Sequence, residues 1–138
     1  AVLIECVQGE GGVIPLDPAF VRALAAFLKE HDILLMVDEV QTGNGRSGRM
    51  YAYMNYGLEP DAVSTAKGLA GGLPMGATLL SDKVKDIFAF GDHGSTFGGN
   101  PVAASAALSV VERLTEDFLA DVTRKSELLK DLFTGAPG

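Results

Sequence analysis

Lys67 stands alone. No other lysine occurs between Lys29 and Lys83, and Lys67 sits in Ser64-Thr65-Ala66-Lys67-Gly68-Leu69-Ala70-Gly71-Gly72, a run of small residues that leaves its amine uncovered. Upstream, Ile33-Leu34-Leu35-Met36-Val37 ends in Asp38-Glu39, with Gln41 close behind. A lysine that loses water loses pKa and becomes a nucleophile able to form a Schiff base with a carbonyl cofactor. An acid at a strand end can hold the cofactor's ring nitrogen protonated. Taken alone, each residue has a simpler reading: a solvated surface lysine, and a carboxylate that caps a turn. Their common setting shifts the balance, because open α/β sheets bind ligands at the carboxyl ends of their strands.

Three further places bear polar groups among glycines. Glu10 lies in Gln8-Gly9-Glu10-Gly11-Gly12, a site residue or a solvated loop charge. Ser95 and Thr96 lie in Gly91-Asp92-His93-Gly94-Ser95-Thr96-Phe97-Gly98-Gly99, where hydroxyls and amides can meet a phosphate or merely form a hydrophilic turn. That loop is no Walker A, since no Lys-Ser/Thr follows its glycines. His93 and His31 do not make a metal pair, and no HExxH or GxSxG motif supports a zinc hydrolase or a serine esterase.

These groups need elements to hold them. Val2 to Val7 reads as a central strand, and Asp17-Pro18 opens an amphipathic helix to about His31. Ile33 to Val37 is the next strand. Apolar rather than alternating strands around a helix predict a parallel pair covered on both faces. Met50 to Tyr56 reads as a short helix stopped by Gly57. Asp61 to Thr65 and Met75 to Leu80 read as strands, and Asp82 to about Ile87 as a helix. Phe88 to Gly99 has no periodicity. Asn100-Pro101 opens a helix to about Leu114 with an Ala-rich first half that suits close packing. Phe118 to Phe133 carries a last amphipathic pattern.

The 138 residues carry a net charge of −7 and a pI of about 4.7. That acidity argues against nucleic acid and anionic membrane as partners. No apolar run spans a bilayer. The lone Cys6 forbids an internal disulfide and reads as a small buried hydrophobe, compatible with a cytoplasmic setting. The chain lacks an initiator Met and stops just past a helical pattern, so it reads as a piece of a longer protein.

Four segments in order resemble the class III, pyridoxal-phosphate-dependent aminotransferases of fold type I. They are Gln8-Gly9-Glu10-Gly11-Gly12; Val37-Asp38-Glu39-Val40-Gln41-Thr42-Gly43 with Arg46 and Gly48; Ala66-Lys67-Gly68 with Gly71-Gly72-Leu73-Pro74 and Gly76; and His93 to Pro101. The likeness is nearest to the acetylornithine and ornithine branch. It implies an α/β three-layer sandwich with a mostly parallel sheet. It implies pyridoxal 5'-phosphate held by Lys67, with Asp38 at the pyridine nitrogen, Val40 on a ring face and Gln41 near the ring hydroxyl. Ser95 and Thr96 would reach the phosphate in the neighbouring subunit of a homodimer with shared sites. Glu10 would pair with a substrate-binding arginine. Cys6 departs from the family pattern, which has a proline after the glutamate.

The implied reaction passes the amino group of N-acetylornithine or ornithine to 2-oxoglutarate, in arginine biosynthesis in the cytoplasm. A 4-aminobutyrate-type transaminase or an aminomutase of the same fold is the alternative. For the 138 residues by themselves, a non-catalytic anion-binding or interaction domain is the alternative. On this reading residues 1–138 are part of the large cofactor domain. The amino-terminal segment and the carboxyl-terminal small domain, which bear the substrate arginines, lie outside them.

Overall fold

A computed structural model describes residues 1–135; the sequence reading's closing residues 136–138 lie outside it. Four strands form the main sheet: β1 (Val2–Ile4), β4 (Leu35–Asp38), β5 (Ala62–Thr65) and β6 (Ala77–Leu80), in the order β1-β4-β5-β6. The first two pairings are parallel and the last is antiparallel. A separate antiparallel ribbon joins β2 (Val7–Gln8) to β3 (Ile14–Pro15). The mostly parallel α/β sheet is therefore as expected.

The helix α1 (Pro18–Glu30) forms for the local reasons read from sequence. Asp17 accepts a hydrogen bond from the Phe20 amide at 2.8 Å, and Pro18 fills the first turn. Val21 and Leu28 project from one stripe onto Leu35 and Val37 of β4, joined by Cys6, Ala52 and Leu58. Between β4 and β5 lies the one-turn helix α2 (Tyr53–Tyr56), ended by Gly57 at φ 69°. The helix α3 (Pro101–Arg113) opens at Asn100, whose side chain accepts from Val102 and Ala103. Its small residues pack Ala107 against Leu69 and Ala70, so the Ala-rich face does serve close approach. The helix α4 (Glu116–Thr134) is capped by Thr115 and buries no residue.

Three expectations are corrected. Strand β1 stops at Ile4 and lies at the sheet's edge among the described residues, instead of running to Val7 in its centre. The Glu5 carboxylate accepts the Gly9 amide at 3.0 Å, which draws the chain out of the sheet and into the ribbon. Residues 82–86 form turns rather than a helix. Val84 donates to Ser81 and Ile87 to Val84, three residues apart, and so short a run does not cover the cost of helix nucleation. Among the described residues the sheet is closely packed on one face only. Leu35, Val37 and Val63 are buried, whereas the alternate row Leu3, Met36, Ala62 and Leu80 is half-buried or exposed. Among the described residues nothing covers that second face fully.

The long connection from β4 to α2 is anchored by a buried carboxylate. Glu39 has 0% exposure and accepts hydrogen bonds from the Thr42 hydroxyl at 2.5 Å, the Ala52 amide at 2.9 Å and the Tyr53 amide at 2.8 Å. A buried charge is stable only when its lone pairs are satisfied in this way. Beside it, burial first and the Glu39 charge second push the Cys6 thiol up to about 12.

Two outcomes follow. Glu39→Ala strands two amides and a hydroxyl in the interior, and should lower stability by about 3–5 kcal/mol, read from the urea midpoint. Cys6 should resist alkylation at pH 8 until the chain unfolds. Because its folded pKa is raised, it contributes stability below the unfolded thiol value, and that contribution is lost as pH climbs from there toward about 12.

Candidate functional site

The parallel pairing of β4 with β5 sets Asp38 beside Ser64, and the Glu39 amide extends the ladder by donating to the Ser64 carbonyl at 2.9 Å. Three residues past Ser64, Lys67 begins a short 3-10 turn, Lys67–Ala70. The acid and the lysine thus emerge from the carboxyl ends of neighbouring parallel strands. Both lie where an α/β sheet offers its ligand crevice. Asp38 is half-buried, and its Oδ1 accepts the Val40 amide at 2.8 Å. Among the described residues Oδ2 receives no hydrogen bond, so one carboxylate oxygen is free for a cationic N–H. Lys67 is exposed, as its small flanking residues imply. Its backbone is left-handed at φ 48°, a conformation rare outside glycine, asparagine and aspartate.

Two clefts flank these strand ends. The first, about 450 Å³, is lined by Lys67, Gln41, Thr42, Arg46, Gly9 and Val13. At its rim the Gln41 amide donates to Glu10 at 3.0 Å, so two residues 31 positions apart meet as a pair. Gly9 makes room for that pair: a Cβ there would fall 2.5 Å from the Gln41 side chain. The second cleft, about 1010 Å³, is lined by Val40, Ser64, Thr78, His93 and Ser95. It lies over the open sheet face, since Ser64 and Thr78 are the register partners of Asp38 on that face. His93 makes an edge-to-face contact with Phe88, with ring centroids 5.1 Å apart. Thr96 lines neither cleft; it and Ser95 stand on a loop exposed from residue 85 to residue 102.

The structure therefore brings together Glu10 with Gln41, Gln41 with Lys67, and Val40 with Ser95. Sequence reasoning passed over Glu39 and Asn44. Glu39 had a signal. Period-two alternation puts it on the side of Leu35 and Val37 and leaves Asp38 on the open side, so adjacent acids have opposite fates. Asn44 had none, because its bonds to Thr65 and Ala66 span more than 20 residues.

Fold and site together define a mostly parallel α/β domain, of the fold-type I kind, that carries a lysine and an acid at adjoining strand ends. The model for "Aminotransferase class-III" matches residues 1–134, and the chain belongs to that family. It is 53% identical over 137 residues to the acetylornithine aminotransferase of Haemophilus ducreyi, which covers 99% of this chain and 35% of that protein. Against the acetylornithine aminotransferase of Corynebacterium efficiens it is 46% identical, covering 100% and 34%. The solved N-acetylornithine aminotransferase of Stenotrophomonas maltophilia superposes with a TM-score of 0.83 at 38% identity, over 96% of this chain and 34% of that one. An amine transaminase from an uncultivated Pseudomonas species, solved in a form with pyridoxal phosphate bound, gives a TM-score of 0.75 at 38% identity, covering 83% and 28%. The chain spans about a third of the length of the curated relatives it matches.

Gly9→Ala tests the rim. The added methyl meets only the movable end of Gln41, so stability should change by less than about 1 kcal/mol. A crystal structure of the variant should show the Gln41 amide displaced and Glu10 without its partner.

Proposed function

We propose that residues 1–138 are the central part of the cofactor domain of a pyridoxal-phosphate-dependent transaminase. Its amino donor is N-acetylornithine or ornithine, its acceptor is 2-oxoglutarate, and its setting is arginine biosynthesis. The observation that carries this reading is the emergence of Lys67 and Asp38 from neighbouring parallel strand ends. The choice of donor rests on the acetylornithine aminotransferases that the chain resembles at 46–53% identity.

The residues present suit the cofactor. The free Oδ2 of Asp38 and the exposed amine of Lys67, with space kept for Gln41 by the glycine at position 9, suit a flat pyridine aldehyde. When bound, pyridoxal phosphate supplies a carbonyl that captures amines and a ring that withdraws electrons from the bond being broken. This chain's own groups do the rest. Lys67 Nζ would hold the cofactor, and as a free amine it would act as the base at the carbon that bears the donated amine. Asp38 keeps a proton on the ring nitrogen by placing a negative charge beside it. Val40 would bound a ring face, and Gln41, tied to Glu10, would serve the ring hydroxyl. Glu10 is then placed to meet a substrate-binding cation.

Ser95 and Thr96 would act across a homodimer, each donating to the phosphate held by the partner subunit. Support comes from their loop, exposed throughout and carrying the uncovered aromatics Phe90 and Phe97. Apolar groups so placed on a surface mark an interface.

The test uses the full-length protein. Borohydride reduction with pyridoxal phosphate, followed by peptide mapping, should label Lys67. Labelling elsewhere would defeat the reading. Lys67→Ala should abolish transamination with the fold intact. Asp38→Asn should still hold cofactor yet slow turnover by about 10²-fold or more, because the charge that keeps the ring protonated is gone. Turnover close to that of the unaltered protein would remove Asp38 from this role. Of the candidate donors, N-acetylornithine and ornithine should give the highest kcat/KM, and 4-aminobutyrate a far lower one.

A further inference from the structure

We propose that Asn44 is a positioning residue for Lys67. Its side-chain amide ties the loop after β4 to the peptide that precedes the lysine, and so sets the direction in which the amine leaves the sheet.

Asn44 Nδ2 donates to the Ala66 carbonyl at 3.0 Å and to the Thr65 hydroxyl at 3.2 Å. The Ala66 carbonyl also accepts the Leu69 amide at 3.1 Å, from within the 3-10 turn. Two donors thus grip one oxygen from two sides. That oxygen belongs to the Ala66–Lys67 peptide, whose plane fixes ψ of Ala66 and φ of Lys67. Lys67 sits at φ 48°, where a side chain is unfavoured, so something must hold it there.

The orientation of the Asn44 amide is decided by chemistry. A carbonyl only accepts, so the NH₂ group must face Ala66. The consequence is on view: Asn44 Oδ1 is buried with no partner among the described residues. A buried polar atom without a partner calls for an explanation, and the two hydrogen bonds made by Nδ2 supply one. Asn44 is itself left-handed at φ 55°, a region that asparagine tolerates better than most residues. Its own loop is fastened by Glu39, whose carbonyl takes the Gly43 amide at 2.9 Å while its carboxylate takes Thr42. The connection runs from the strand of Asp38, through this loop, to the backbone of Lys67.

Because the proposal rests on the role given to Lys67, the experiment separates the two. Three full-length proteins are compared: unaltered, Asn44→Gly and Asn44→Asp. Glycine keeps the left-handed backbone and removes the clamp. Aspartate keeps shape and size, donates nothing when ionised, and regains one O–H donor when protonated. In cofactor-free protein, amide hydrogen exchange over residues 64–71 should quicken about tenfold in Asn44→Gly, with β4 and α1 unchanged. Asn44→Asp should match Asn44→Gly near pH 8 and return toward the unaltered protein as pH falls below about 4, the ordinary aspartate range, each compared at the same pH. With pyridoxal phosphate bound, kcat should fall about tenfold in Asn44→Gly while KM stays within about twofold.

Exchange and kcat within about twofold of the unaltered protein would overturn the proposal. If Asn44→Gly does not fold, the pH response of Asn44→Asp decides, and no recovery below about pH 4 overturns it. Borohydride labelling away from Lys67 in the unaltered protein would sink the transaminase reading. The exchange result would still report whether Asn44 holds the Lys67 backbone.

Discussion

The parallel ladder between β4 and β5 is the constraint on which the rest depends. It sets Asp38 against Ser64 and continues one residue past the strand through Glu39. From there both chains turn away at the same edge, one into the loop of Gln41 and Asn44, the other into the turn of Lys67. A register slip of one residue would reverse the faces of Asp38 and Glu39. The charged group would leave the crevice, and a second acid would arrive there with its amide partners abandoned. The burial of Leu35 and Val37 under α1 is what forbids the slip, since those side chains have no equally good place on the open face.

Adjacent acids with different duties are thus a product of packing, not of their own chemistry. Glu39, beneath α2, spends its charge on two backbone amides and a hydroxyl and holds the loop in place. Asp38, one residue earlier, uses one oxygen on the Val40 amide and keeps the other available. The loop fastened by Glu39 carries Gln41, Asn44 and Arg46, so a purely structural carboxylate governs the geometry of a polar cleft. Nearby Tyr51 belongs to the same arrangement. Burial raises its pKa, the Thr65 hydroxyl opposes that, and the Glu39 charge adds to it, so its phenol stays neutral against the anchor.

Local structure was legible in the sequence wherever a local cause exists. Asp17-Pro18 and Asn100-Pro101 opened helices within a residue of the expected points, and Gly57 closed a short one. The lysine after a strand and the acid at the end of another were read correctly because strand ends are visible as the limits of apolar runs. What failed was set by distant residues. The departure of the chain after Ile4 depends on Glu5 reaching Gly9, and the open second face depends on what else surrounds the sheet. An apolar strand reads as covered twice, although Leu3 is 60% exposed. The four-segment resemblance supplied roles for Glu10, Gln41, Ser95 and Thr96 that spacing alone could not, and the hydrogen bond from Gln41 to Glu10 was not among them.

An acidic chain with a cationic cleft is not a contradiction. The net charge is −7, yet Lys67 and Arg46 line one cleft of about 450 Å³, opposed at its rim by Glu10. Charges beyond about 8–10 Å are screened at ordinary ionic strength, so a small anion in the cleft responds to those two cations and not to the distant carboxylates. The exposed pairs elsewhere, Lys83 with Asp32 and Arg124 and Lys125 with Asp121, keep other cations occupied on the surface. Neither Lys67 nor Arg46 has a carboxylate partner among the described residues, which leaves both available to a ligand. The glycines around them do the complementary work of keeping side chains out of the way. An acidic chain can in this manner present a locally cationic cleft among its many carboxylates.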